Sequence, residues 1–134
     1  MDAQRQQNLW AIALENYQAA RLTADHGWHN VSVGRSYYAV YTAMWIAVDE
    51  PPSGQWSHPG ILQLFAPGRW RQPAAPIDRA QTRAIRRLYN ARLQADYSGD
   101  RLTPQHSTTG LTTAREILLL VAHTLGLPVG GIAP

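Results

Sequence analysis

Cysteine and lysine are both absent from the 134-residue chain, and no apolar run is long. Without cysteine the protein has no disulfide, no thiolate metal ligand and no cysteine nucleophile. The longest apolar stretch, residues 117–122, is far shorter than the roughly 20 residues that span a bilayer. The first residues also lack the basic and then apolar pattern of a secretory signal. We therefore expect a cytoplasmic protein without a membrane segment.

Sequence motifs for several common chemistries are missing as well. There is no glycine-rich phosphate loop and no G-x-S-x-G nucleophile elbow, which excludes two widespread kinds of catalytic site. Among the five histidines, His26 and His29 are three residues apart, but no carboxylate cluster completes a metal site. We expect neither a metal nor an organic cofactor.

The basic residues are all arginine: twelve arginines stand against nine acidic residues, and the net charge is +3. Guanidinium groups bind phosphate oxygens in a bidentate manner, which fits a nucleotide or nucleic-acid ligand. A genome rich in arginine codons explains the same composition. Because the net charge is small, it does not by itself establish a nucleic-acid partner.

Apolar residues recur every three or four positions in five segments, which predicts five helices. The predicted helices cover approximately residues 2–25, 31–49, 59–65, 77–97 and 107–125. Asn30 is a candidate N-cap of the second helix, and Ser57 or His58 of the third. No segment alternates apolar and polar residues at period two. The pattern predicts an all-α protein, an antiparallel up-down four-helix bundle with one short extra helix. Residues 1–127 form its single domain, and residues 128–134 a flexible tail.

Three patches, at residues 34–43, 58–65 and 92–97, resemble one family. Their sequences are GRSYYAVYTA, HPGILQLF and RLQADY. They are similar to S-R-x-Y-Y-A-x-F-H-A, H-S-G-V-x-x-L-F and R-x-x-A-D-Y of small HEPN proteins, the UPF0332-like branch that partners minimal nucleotidyltransferases (MNT). The order and spacing also agree, and the resemblance covers roughly residues 8 to 125.

The resemblance implies a homodimer, encoded in many cases beside an MNT antitoxin. Several HEPN branches are metal-independent ribonucleases whose R-x4-6-H motif is duplicated across a dimer cleft. Here Arg92 takes the arginine position, Tyr97 stands where the histidine would be, and Thr42 replaces a histidine of the second helix. We expect Arg92 to point into a groove between two copies of the chain.

Arg92, Asp96 and Tyr97 are the candidate catalytic residues. Metal-free RNA cleavage needs a group that exchanges protons near neutral pH, as histidine does, whereas tyrosine is a poor base. Arg92 and Asp96 are four residues apart on a helix and can form an ion pair. Three interpretations stay open: a structural tie between helices, phosphate binding, and nuclease catalysis.

Arg35, Tyr38, Arg69 and Trp70 are the candidate RNA- or nucleotide-binding residues. Arg35 has a structural alternative, a salt bridge to Asp96 or Glu15, and Tyr38 can be a core residue. Arg69 and Trp70 lie in a loop, where basic and aromatic residues together are typical of single-strand binding. The alternative is a loop anchored on the bundle by its tryptophan.

Four arginines form a basic stripe on the fourth predicted helix, at positions 79, 83, 86 and 87. This stripe is either a solvated face or a surface for RNA or an acidic partner.

The sequence supports two hypotheses for the function of the whole protein. It is the HEPN toxin of a toxin–antitoxin pair, acting on RNA, or a non-catalytic module that binds a nucleotide or a protein. The sequence leaves open whether it is an enzyme.

Overall fold

Residues 1–132 are described by the computed structural model, and within that range the chain is all-helical, without a strand. The prediction of an all-α protein is therefore confirmed. The helices are α1 (Ala3–Asp25), α2 (His29–Val48), α3 (His58–Phe65), α4 (Arg79–Tyr97) and α5 (Pro104–Leu125), followed by a 3-10 turn at Gly130–Ile132.

Side-chain caps fix most of the helix starts. Asp2, Ser57, Asp78 and Thr103 each accept a hydrogen bond from a backbone N–H of the first turn. In α5 the cap is reciprocal, because the His106 ring accepts from the Thr103 backbone N–H. This capping box starts α5 at Pro104, three residues before the predicted start. Proline is well tolerated there because the N–H it lacks would be unpaired.

Asn30 does not cap α2, contrary to the prediction. The residue is the second of α2, and its side chain reaches across to the chain segment between α4 and α5. Its Oδ1 accepts from the Leu102 N–H at 2.9 Å, and its Nδ2 donates to the Asp100 carbonyl at 2.8 Å. The residue therefore ties that connection to the start of α2, a tertiary role that helix-start rules do not anticipate.

Helix α2 lies at the centre of the molecule and contacts each of the other four α-helices. Its buried residues include Val33, Tyr37, Val40 and Met44, which recur at helical spacing and belong to one continuous core. Burying a large apolar side chain contributes roughly 1.5–3 kcal/mol. The most aromatic helix is thus also the most enclosed, and it brings its tyrosines against α3 and α4.

Helix α4 is strongly amphipathic, and it is the helix that carries Arg92. Only Ile85, Leu88 and Arg92 are buried, on the side that faces α2 and α5. Two of these three are ordinary core residues, and the third is an arginine. This burial of a charged side chain on the core face marks the candidate site.

The segment that we expected to be a flexible tail is anchored on α1 over residues 128–132. The Trp10 indole N–H donates to the Pro128 carbonyl at 2.9 Å, and the Gln18 amide donates to the Gly131 carbonyl. Ile132 is only 1% exposed and belongs to the core. The part of the predicted tail that is described is therefore packed, and its last two residues lie outside the described range.

Neither a membrane-crossing helix nor a metal-ligand cluster occurs among residues 1–132. None of the described helices is both long enough and apolar enough to cross a bilayer. No three histidine or acidic side chains in this range come together as a metal site would require. His26 and His29 have hydrogen-bonding partners in the chain, since their Nδ1 atoms lie 2.8 Å from the Leu22 carbonyl and 2.7 Å from the Ser107 hydroxyl of α5, respectively.

Candidate functional site

Arg92 lies against the tyrosines of α2 and is only 8% exposed. Its guanidinium carbon is 5.3 Å from the centre of the Tyr38 ring and 5.9 Å from that of Tyr37. A cation close to an aromatic ring is attracted by the ring's quadrupole, more strongly where water is excluded. The arginine is thus held by two rings of its own chain.

Asp96 provides the carboxylate for Arg92, as the helical spacing predicts. The Arg92 Nε atom lies 3.2 Å from Asp96 Oδ2, one turn further along α4. The pair has no directed hydrogen bond at Nε, since this N–H lacks a hydrogen-bond partner among the described residues. Burial in its own chain favours the structural interpretation of Arg92. The expected groove between two copies stays a prediction.

Two guanidinium groups converge on the Tyr38 ring. The guanidinium carbon of the exposed Arg35 also lies 5.3 Å from the ring centre. The salt bridge that we expected from Arg35 to Asp96 or Glu15 is absent from residues 1–132, and Arg35 instead donates to Asn16 Oδ1 at 3.0 Å. Two cations and one carboxylate therefore meet at this ring, which leaves a positive charge without an acidic partner.

His58 completes the group of side chains that we call the tyrosine cluster. Its members come from α2, α3 and α4 and are Tyr37, Tyr38, Tyr41, His58, Tyr89 and Arg92. The His58 ring lies 5.1 Å from the Tyr89 ring and 5.2 Å from the Tyr37 ring, between centroids. The resemblance had placed His58 in a motif, but only the fold brings it to Arg92. Of the two candidate caps of α3, Ser57 is the cap, and His58 forms a hydrogen bond with Tyr37 instead.

The environment keeps His58 and Tyr37 uncharged. Burial, and then the nearby charge of Arg92, lower the pKa of His58 from its usual 6.5. Burial is the largest cause that raises the pKa of Tyr37 above its ordinary value. At neutral pH the 2.7 Å contact between the Tyr37 hydroxyl and His58 Nδ1 thus joins two neutral groups. Because the described residues offer this hydroxyl no other acceptor, we assign it as the donor to Nδ1, and this assignment places the imidazole proton on Nε2.

Two grooves flank the tyrosine cluster. One, of about 240 Å³, is lined by His58, Tyr89, Asn90 and Arg86, with Tyr37 and Leu62. The other, of about 350 Å³, is lined by Arg35, Tyr38, Thr42 and Trp45, with Asn16. Both combine aromatic surface with a guanidinium and with neutral hydrogen-bonding groups. This chemistry fits a ligand that has flat rings and negative charge.

Tyr97 does not join the cluster. Its side chain is 75% exposed at the end of α4, and it lines neither groove. Of the three candidate catalytic residues, the fold therefore brings Arg92 and Asp96 together and leaves Tyr97 on the surface.

Thr42, which stands where the family has a histidine, forms a hydrogen bond within its own helix. Its hydroxyl donates to the Tyr38 carbonyl at 2.8 Å.

Arg69 and Trp70 lie at a different place from Arg35 and Tyr38. The Trp70 ring stacks on Phe65 with centroids 5.0 Å apart, and its N–H donates to the Phe65 carbonyl at 3.0 Å. The Arg71 guanidinium lies 5.5 Å from the same indole. These contacts agree with a loop anchored by its tryptophan. The exposed Arg69 lines a separate shallow groove with Trp70 and Leu64.

Comparison with known proteins places the chain in a family. No protein-family model matches it. A protein of Gloeobacter violaceus, UPF0332 protein glr0978, is 34% identical over 97 residues, which cover 70% of this chain and 73% of the relative. The "Putative toxin MJ0605" of Methanocaldococcus jannaschii is 28% identical over 101 residues, 75% of this chain and 74% of the relative. The chain thus belongs to the UPF0332 family. The second relative is named as a toxin, which makes the family toxin-like.

Proposed function

We propose that the chain is the toxin of a HEPN/MNT-type toxin–antitoxin pair and that it binds single-stranded RNA at the tyrosine cluster. The order and spacing of the three motif patches support this, as do the UPF0332 relative and the relative named as a toxin. The protein partner is an MNT antitoxin. The proposal includes the antiparallel up-down bundle and a homodimer, in which two tyrosine clusters face one cleft.

The observation that carries this proposal is the meeting of Arg35, Arg92 and Tyr38. Asp96 neutralises Arg92, whereas Arg35 has only a neutral amide as partner. An exposed cation therefore lies beside an aromatic ring with no acidic residue to compensate it. Single-stranded RNA supplies both matching groups, since its phosphates pair with guanidinium and its unstacked bases pack on aromatic rings. The neutral Nε2–H of His58 is a further donor for a phosphate or base oxygen in the neighbouring groove.

Metal-independent RNA cleavage is a second candidate function, favoured by a different observation. His58 and Arg92 both lie against the Tyr37 ring, so an arginine and a histidine come together although the R-x4-6-H spacing is lost. A base at Nε2 needs the opposite tautomer, in which Nδ1–H donates to the Tyr37 oxygen. Nε2 then takes the 2′-hydroxyl proton, the 2′-oxygen bonds to phosphorus, and the P–O5′ bond breaks. Water protonates the leaving oxygen, and a 2′,3′-cyclic phosphate remains.

Induced expression in a host without the neighbouring antitoxin gene tests the toxin proposal. We expect growth arrest with the unchanged chain, and its relief in Arg35→Gln and in Tyr38→Leu. Arg115→Gln is the matched control, because Arg115 is an exposed arginine of α5 that lines neither groove. Harmless expression of the unchanged chain, or full arrest by both site variants, would refute the proposal.

His58→Gln separates the two candidate functions. A glutamine amide keeps a hydrogen-bond donor but cannot take up a proton near neutral pH. If binding alone causes the arrest, this variant stays toxic. If cleavage causes it, the variant is harmless, and RNA fragments with 2′,3′-cyclic ends disappear from the cells.

A further inference from the structure

A third groove, between α4 and α5, has no part in the function proposed above. Its volume is about 350 Å³. The walls come from Ala84, Leu88 and Ala91 on one helix and from Thr109, Gly110 and Thr113 on the other. Polar side chains also line it, namely Asn90, Gln94, Gln105 and His106, but most of its exposed lining surface is apolar, and it follows both helices for several turns.

Small residues make this groove deep. Ala84 and Ala91 are partly exposed and have no side-chain atom beyond Cβ, so they leave space over the α4 side of the groove, whereas Gly110 is buried. Leu88 closes the floor and is only 4% exposed. A Cβ at Gly110 would lie 3.3 Å from Leu88 Cδ1, so the floor is packed up to that backbone. A helix laid into this groove can approach closely, as small residues at helix interfaces allow.

The rim on the α4 side is strongly basic. Arg79, Arg83 and Arg87 follow one side of the helix at four-residue spacing and are all exposed, and Arg87 lines the groove itself. Arg86 lines the groove beside His58 instead. Ion pairs join the terminal amine to Asp49, Arg5 to Glu50 and Arg92 to Asp96. None of these pairs involves the three rim arginines. The stripe that the sequence marks on this helix is thus an uncompensated positive edge beside an apolar surface.

We propose that this groove binds an acidic amphipathic helix of a partner protein. The apolar face of that helix fills the space over Leu88, and its flanking carboxylates pair with Arg83 and Arg87. The partner is the antitoxin, and for this identification the inference rests on the function proposed above. The groove and its basic rim, from which we infer an acidic helix, do not depend on the toxin proposal.

The observations favour this occupant over two others. RNA phosphates match the arginines but leave the apolar floor in contact with water. A second copy of the chain lacks the required helix, because no helix in residues 1–132 has more acidic than basic residues. Helix α1 carries two of each, α5 carries one of each, and α2, α3 and α4 have no excess of acid.

Binding of labelled synthetic helices to the full chain tests the proposal by fluorescence anisotropy. The probe is an amphipathic peptide with leucine on one face and glutamate on both flanks, and its matched peptide has lysine for every glutamate. A single-stranded RNA is the third probe. We expect the acidic peptide to bind and the basic peptide not to bind. The double variant R83E/R87E should weaken binding about tenfold or more, because it replaces attraction by like-charge repulsion.

A matched pair of exposed threonines on α5 tests the location. Thr109→Trp fills the groove, and Thr112→Trp places the same side chain outside its lining. The first should abolish peptide binding, the second should retain it, and Arg115→Glu should serve as the charge control for the rim variant. Circular dichroism and the unfolding midpoint show whether each variant is folded.

Several results would overturn the inference. Equal binding of the acidic and basic peptides would exclude the charge match, and unchanged binding by folded Thr109→Trp would exclude the groove. Competition by RNA, or self-association lost in Thr109→Trp, would identify one of the rejected occupants. The peptide assay also separates this inference from the toxin proposal. If the chain is harmless in cells but binds the acidic peptide, the toxin proposal is refuted and the groove inference is supported. If the chain is toxic but does not bind the peptide, only the groove inference is refuted.

Discussion

The Tyr37 hydroxyl lies 2.7 Å from His58 Nδ1, and the direction of this hydrogen bond decides which nitrogen of the imidazole carries the proton. Because the hydroxyl has no other acceptor in the described chain, we assign His58 as a hydrogen-bond donor at Nε2. A donor at this position suits ligand binding, whereas a base needs the other tautomer. The role of His58 thus depends on one proton.

Nitrogen NMR of ¹⁵N-histidine-labelled protein measures this tautomer directly. Above its lowered pKa, His58 should show an unprotonated Nδ1 and a protonated Nε2. Tyr37→Phe removes the donor and should allow a mixture of the two tautomers. A protonated Nδ1 in the unchanged chain would contradict the hydrogen-bond direction and would favour the cleavage function.

Stability should fall in mildly acidic solution because of His58. The pKa of His58 is lowered in the folded chain, first by burial and then by Arg92, so the unfolded chain binds this proton more readily. The free energy of unfolding therefore decreases as the pH falls below 6.5, towards the folded pKa, and is unaffected by this group above 6.5. Urea unfolding between pH 5 and 8 tests this. We expect His58→Gln to reduce the slope, and an identical slope in the variant would exclude His58 as its source.

Arg92→Ala should destabilise the protein more than Asp96→Ala. The arginine touches Tyr37 and Tyr38 and buries its stem, whereas the aspartate side chain is 43% exposed. We expect a loss of roughly 2–3 kcal/mol for Arg92→Ala, within the range for buried side chains that lose several partners. The loss for Asp96→Ala is about 1 kcal/mol, because its exposed side weakens the ion pair. Urea unfolding of both variants gives the comparison, and equal losses would mean that the ring contacts contribute nothing.

Glycine replacements in α2 and α5 should differ in effect. A Cβ at Gly34 meets nothing within 4 Å, whereas one at Gly110 crowds Leu88 at 3.3 Å. Alanine is favoured over glycine in a helix interior by about 0.8–1 kcal/mol. Gly34→Ala should thus raise the unfolding midpoint, and Gly110→Ala should raise it less or lower it. A larger gain at Gly110 would show that the groove floor is looser than described.

The helical class and the approximate helix positions could be predicted from the sequence, because apolar spacing reports directly on burial. The exceptions have local or tertiary causes. Pro104 and His106 extend α5 through a capping box, and Asn30 bonds to a distant connection instead of capping α2. Residues 128–132 carry no charge and have too little bulk to fold alone, yet the Trp10 indole and the buried Ile132 fix them to α1.

The candidate site was predictable only in part. The ion pair between Arg92 and Asp96 follows from helical spacing within one helix. The meeting of Arg35, Tyr38 and Arg92 requires α2 and α4 to pack together, and the place of His58 depends on the start of α3. Contacts between separate helices are set by packing, which a sequence without its fold does not display.

Salt-dependent binding of fluorescent single-stranded RNA tests the central claim most directly. Anisotropy titrations at several salt concentrations give the affinity and its dependence on salt for the unchanged chain, Arg35→Gln and the control Arg115→Gln. We expect the logarithmic salt slope to be about 0.7 less steep in Arg35→Gln, as one lost phosphate contact to a single strand implies. The control should keep the original slope. RNA binding that is absent from the unchanged chain, or equal in all three proteins, would contradict RNA binding at the tyrosine cluster.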